Sequence, residues 1–110
     1  MLTIRRAQLA SFEAALWDQF TRRLIEQARE DNGLPEPGAS DAELFALLRP
    51  VLGLAAQYGL ISKDDVARYG RLVLALGRDP QAADAAIVAA LNNPLLMGAD
   101  KLTALEQAMG

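Results

Sequence analysis

The residues that most often carry enzyme chemistry are missing from this chain, and carboxylates alone support few reactions without a metal. Cysteine and histidine are both absent. Their absence removes disulfides, thiolate nucleophiles, Ser-His or Cys-His catalysis, and the ordinary ligand sets of zinc and haem. Two acidic positions remain to be weighed. Asp64 and Asp65 are adjacent just after Ser62, where negative charge suits the dipole of a helix that Ser62 would cap. That role accounts for the pair without any reaction. Glu13 falls on the apolar stripe of the first predicted helix, beside Leu9, Leu16 and Trp17. A carboxyl with a raised pKa there would draw attention in a cleft. No nucleophile or metal set accompanies it, so an edge position with the carboxylate reaching water is the simpler reading. Arg22, Arg23 and Arg29 read as a solvated face. The residues point to no catalytic group, no metal site and no cofactor: a protein that is not an enzyme.

The elements that carry these residues are helical throughout. The central stretch, Ser40 to Gly77, reads as two helices joined by a tight glycine turn. Ser40 and Glu43 form a capping box, and Leu44, Leu47, Leu48, Val51, Leu52 and Ala55 recur at spacings of three and four, one stripe of a helix. Pro50 lies within that stripe and predicts a bend. Gly59, flanked by Tyr58 and Leu60, is expected to close this helix in the left-handed conformation. Ser62 opens the next helix and Gly77 ends it, with a linker so short that the two must pack as neighbours.

Before this hairpin, a long first helix is predicted from about Arg5 to Asp31, closed by Asn32-Gly33. Its stripe is Leu9, Phe12, Leu16, Phe20, Leu24 and Ala28, with Trp17 on one edge. About 27 residues would extend roughly 40 Å, longer than the ~34 Å diameter of a globule of this size. Met1-Leu2-Thr3-Ile4 precedes it and either staples onto the first turn or reaches a partner. Leu34 to Gly38 is a stiff connector carrying two prolines. After the hairpin, Asp79-Pro80 is expected to start a helix running through Asn93. Asn92-Asn93-Pro94 breaks it, Leu95, Leu96 and Met97 form an apolar plug, and Asp100 caps a short last helix. The expected fold is all-α, a compact bundle of four to five helices with a long N-terminal helix and a central helix-Gly-helix hairpin, in one domain spanning residues 1–110.

Composition bounds the function further. The chain has 110 residues, 52% of them apolar, enough for a core and too many for disorder. No apolar run approaches the 18 or so residues that span a bilayer, and the N-terminus lacks the pattern of a signal peptide. A cytoplasmic location is expected. Eleven basic against fourteen acidic residues give a net charge of −3, which argues against nucleic acid and anionic membranes as partners. The turn at Gly59 has a helix-turn-helix outline, but the second helix would aim Asp64 and Asp65 at phosphates.

What remains is apolar helix surface in apparent excess of what one bundle can cover. On the helix from Lys63 to Leu76, Ala67, Gly70 and Leu74 make a small-residue strip that invites close approach by another helix, either the chain's own or a partner's. Partner-binding positions expected on this basis are Leu2, Ile4, Trp17, Gly70 and Leu74.

The chain also resembles small bacterial proteins found with type VI secretion effectors and their adaptor chaperones. The residues that carry the likeness are Met1-Leu2-Thr3-Ile4 with Gln8 and Phe12, then Tyr58-Gly59-Leu60, then Asp65-Val66-Ala67-Arg68-Tyr69 and Leu76-Gly77. Where such proteins often continue with an aromatic-acidic segment, this chain has Arg78-Asp79-Pro80. The resemblance implies an accessory protein, a co-chaperone that binds an effector-loading adaptor or the effector itself, and assigns no catalytic residue. Two other roles stay open: an immunity protein that neutralises a toxin, and a homo-oligomeric structural module.

Overall fold

Two serines frame the middle of the molecule. In the computed structural model, Ser40 Oγ accepts the amide of Glu43 at 3.2 Å and Ser62 Oγ accepts the amide of Asp65 at 3.1 Å. Each satisfies a first-turn donor that has no intrahelical partner. The structure describes the backbone of residues 2–35 and 38–109, and side chains from residue 14 onward within those limits. Five α-helices result: α1 (Leu2–Glu30), α2 (Asp41–Gly53), α3 (Lys63–Leu76), α4 (Ala85–Asn92) and α5 (Gly98–Met109). Short 3-10 turns lie at Ala55–Tyr58 and Pro80–Ala82. Among the described residues there is no strand, and the fold is an all-α bundle.

Four boundaries differ from the sequence reading. α1 begins at Leu2, so Leu2 and Ile4 lie within the helix rather than ahead of it. α2 does not reach Gly59. It passes through Pro50 for three more residues, stops at Gly53, and tightens into the 3-10 turn. Pro50 supplies no amide and Gly53 is a poor helix former, so the closing turn becomes a separate element. Gly59 still provides the left-handed step, with φ of 80°. Its carbonyl accepts the amide of Gly98 at 3.1 Å, tying the start of α5 to the turn before α3. The helix expected from Asp79 is likewise divided. Asp79 caps only the turn Pro80–Ala82, Ala83 is extended, and Asp84 opens α4 as a new N-cap residue. Finally, α5 starts at Gly98, and Asp100 sits in its first turn rather than capping it.

The core is aliphatic with one phenol in it. Leu24, Ile25 and Ala28 of α1 meet Leu44, Leu48, Val51 and Leu52 of α2, and Val66, Tyr69, Val73 and Leu74 of α3. Ile87 and Leu91 of α4 with Leu102 and Leu105 of α5 complete it from the other side. Full burial of each large aliphatic side chain contributes about 1.5–3 kcal/mol, so α4, only eight residues long, is held by packing and not by its own propensity. Partly exposed ion pairs join neighbouring elements: Arg29 with Asp41, Arg49 with Asp18, Arg68 with Glu106, and Arg71 with Asp31.

Gly70 and Leu74, expected at a partner's surface, are in this core. Leu74 is 1% exposed, and Gly70 faces Leu24 of α1 and Leu48 and Leu52 of α2. The closely approaching helices are the chain's own. At Gly70 and Leu74 the small-residue strip of α3 faces the chain's own interior, while Ala67 stays half-buried at its edge.

Candidate functional site

Apolar surface that the core does not claim gathers where α1 passes the start of α3. Ile61 is 77% exposed and Leu16 is 49% exposed. The chain forces Ile61 outward: Leu60 is buried, Ser62 must cap α3, and the residue between them has no interior to enter. Leu16, Trp17 and Phe20 of α1, Ile61, and Val66 of α3 line a hollow of about 530 Å³. Gln19, Arg23 and Lys63 complete the lining with polar tips. This is the size range of a recognition cleft, with apolar walls and a few polar groups.

Trp17 is held firmly within this wall. Its ring meets Phe20 edge to face, with centroids 5.8 Å apart and planes at 84°, the arrangement the ring quadrupoles favour. The guanidinium of Arg49 lies over it, 5.8 Å from the centroid, and is itself fixed by a 3.0 Å hydrogen bond from its Nε to Asp18 Oδ1. Thr21, fully buried, donates its hydroxyl to the Trp17 carbonyl at 2.7 Å. That bond satisfies a polar group with no access to water. Trp17 is thus the one expected partner-binding residue that the described side chains place at an apolar surface. The side chains of Leu2 and Ile4 lie outside the described residues, as does that of Glu13.

Sequence reasoning missed Ile61, Leu16 and Lys63 as members of this site. The available signal was the placement of Ile61 between a buried Leu60 and a capping serine, which leaves an isoleucine stranded in a two-residue linker. A second apolar exposure also went unread: Leu95 and Met97 in the α4–α5 connection are 90% and 61% exposed. Of the apolar plug that the sequence predicts, only Leu96 is half-buried. The tie between Gly98 and Gly59 draws the backbone against the turn, and Met97 lies against Gly59 there.

The described charged groups serve helix ends, ion pairs and the interior. No set of three potential metal ligands occurs among the described residues. Asp64 and Asp65 occupy the first turn of α3, the position in which helix polarity favours them. Glu106 is held below its ordinary carboxylate pKa by the hydrogen bond from Arg68, whose own pKa is raised by the same contact. Lys101 is buried, donates from Nζ to the Leu91 carbonyl at 2.5 Å near the C-terminus of α4, and lies 5.8 Å from the Tyr58 ring centroid. A cation at a helix C-terminus is favourable, though burial lowers its pKa. Burial also drives the Tyr69 phenol far above its ordinary value, aided by Tyr58 and Asp79. Both groups serve the interior. No helix among the described residues is long and apolar enough to cross a membrane.

Comparisons with protein-family models, with curated proteins and with solved structures return no match.

Proposed function

We propose that this protein is a non-enzymatic binding factor that captures another protein in the hollow between α1 and the start of α3. The single observation that supports the reading is Ile61, an isoleucine held 77% exposed beside a clamped Trp17 at an apolar hollow. A rigid aromatic next to an open aliphatic is the composition of an interface anchor, where one residue can contribute 2 kcal/mol or more. Lone exposed apolar residues need no explanation. Two of them, Leu16 and Ile61, opening onto one concavity beside a half-buried Trp17 do.

The class of partner follows from the resemblance to type VI secretion accessory proteins alone. On that reading the partner is an effector-loading adaptor chaperone or the effector it carries, and the chain acts in the cytoplasm as a co-chaperone, in a single domain. The test is binding of the purified protein to each of these, measured for the native sequence and for Ile61→Asp. The variant is expected to remain folded and to lose at least about tenfold in affinity, equivalent to about 1.4 kcal/mol. Protection of cells from the effector without any contribution to its export would select the immunity role instead. A stable oligomer in light scattering, dispersed by Ile61→Asp, would select the structural module.

A further inference from the structure

Resting on that reading, we infer that the hollow receives an amphipathic helix whose apolar stripe is flanked by carboxylates. The argument begins with an inventory of cations. Arg29, Arg49, Arg68, Arg71 and Arg78 each sit against an Asp or Glu. Arg22 lies over the Phe45 ring, and Lys101 is buried against a carbonyl. Among the described side chains, the two cations left without an ion pair, hydrogen bond or ring are Arg23 and Lys63, and both line the same hollow. In a chain of net charge −3, every other described cation has found a partner.

One cation comes from α1 and the other from the first residue of α3, with Trp17 and Ile61 in the same lining. A helix laid there would bury its apolar side chains on Trp17, Phe20 and Ile61 and present its flanks to Arg23 and Lys63. This is helix-in-groove recognition, with charge setting orientation and partner choice. A second copy docked through the same face is disfavoured. Two-fold symmetry sets a patch against itself and would bring Arg23 and Lys63 toward their own images. An anionic membrane is also a poor occupant. The surface is concave, and two cations fall short of the cluster of roughly four to eight that marks lipid recognition.

Trp17 is the only tryptophan in the chain, so its emission reports on the hollow directly. The probes are two synthetic helical peptides of about 20 residues with an identical leucine stripe, one flanked by glutamates and the other by lysines. The glutamate peptide is expected to shift Trp17 emission to the blue saturably and to bind at least about tenfold tighter than the lysine peptide, with the gap closing as salt rises. The double variant Arg23→Glu, Lys63→Glu, both at exposed positions, should invert the preference. Equal affinity for the two peptides, or a preference that survives the double variant, overturns the charge assignment and leaves apolar docking standing. Silence from both peptides overturns both. A blue shift on phosphatidylcholine–phosphatidylserine vesicles in place of the peptides would make the occupant a membrane. A blue shift that grows with protein concentration, with dimers in sedimentation, would make it a second copy.

Discussion

A methyl group on Gly70 would stand 2.7 Å from Leu24 Cδ1, closer than side chains ever pack. The same methyl would lie 3.2 Å from Leu52 Cδ2. Gly70 is therefore the point at which three helices converge, and its missing side chain is what sets their spacing. Glycine costs a helix about 1 kcal/mol relative to alanine, so on propensity alone Gly70→Ala would stabilise α3. Overpacking a close-packed core costs about 1–3 kcal/mol. The second effect is expected to win. Gly70→Ala should lose about 1 kcal/mol in urea unfolding, with helix content by circular dichroism unchanged. A gain in stability would show that Leu24 can move aside and that the convergence is loose.

Leu74 and Ile61 are both large aliphatics, and they should respond oppositely to the same change. Leu74→Asp removes a fully buried side chain and places a carboxylate in the aliphatic core. Truncating such a leucine alone costs about 2–5 kcal/mol, and the unpaired charge adds several more. The sum approaches the whole stability of a small domain, about 5–15 kcal/mol, so Leu74→Asp is expected to unfold. Ile61→Asp, at a position 77% exposed, should stay within about 0.5 kcal/mol of the native sequence. Thermal melts of the two variants side by side check this. A folded Leu74→Asp protein would place Leu74 outside the core after all.

The contrast between those two leucine-like residues also marks how far the sequence could be read. Local signals were sufficient where one residue type has one cheap role: Ser40 and Ser62 as caps, Gly59 at a left-handed turn, Gly77 at a helix end, the all-helical class. They were insufficient where two outcomes share a pattern. Ala67, Gly70 and Leu74 describe a surface that wants a helix against it, and periodicity does not say whose helix. The answer came from α1 and α2, more than 15 residues away along the chain. Asp79 and Asp84 posed a similar ambiguity. Both are good N-caps five residues apart, and the first could as well have opened one long helix. Ile61 was missed because a single linker residue has no periodicity to read.

Tyr69 should make the fold sensitive to alkali. Its phenol is 1% exposed, and burial raises its pKa well above the ordinary value of 10. Below about pH 10 the phenol is protonated in both folded and unfolded chains and pH has no leverage through it. Above that, the unfolded chain releases the proton while the folded one keeps it. Stability then falls as pH rises, by up to about 1.4 kcal/mol per pH unit. Lys101 acts with the opposite sign. Its lowered pKa means that the folded chain gives up a proton first, so its contribution to stability rises with pH until the unfolded lysine also titrates, near about 10.4. Tyr69→Phe should therefore flatten the decline above pH 10 in urea unfolding series, leaving Lys101's rise below it in place. A decline that persists in Tyr69→Phe would assign the alkaline loss to other groups.

The Asp18 carboxylate reaches the Trp17 ring through Arg49. Asp18 holds Arg49, and Arg49 covers the indole, so the carboxylate acts on the ring through one intermediary. The ion pair is partly exposed, with side chains 27% and 41% accessible, and such pairs contribute only about 0.2–1 kcal/mol to folding. Asp18→Asn is thus expected to cost less than about 1 kcal/mol in stability. Its effect on the site should be larger in kind. Freed from Asp18, Arg49 samples other rotamers, the cation–π contact of about 0.5–1 kcal/mol is lost for part of the time, and the indole gains freedom that a docking helix must then remove. Ordering one such side chain costs about 0.5–1.5 kcal/mol, which corresponds to a drop in affinity of roughly two- to tenfold. Time-resolved anisotropy of the single tryptophan should show faster local motion in Asp18→Asn, and titration with the glutamate-flanked peptide should show the weaker binding. Arg49→Lys provides the control: it keeps a charge near Asp18 but loses the planar group that stacks on the ring, and should loosen Trp17 to the same degree. Unchanged anisotropy in both variants would mean that Phe20 and the α1 backbone alone hold the indole in place.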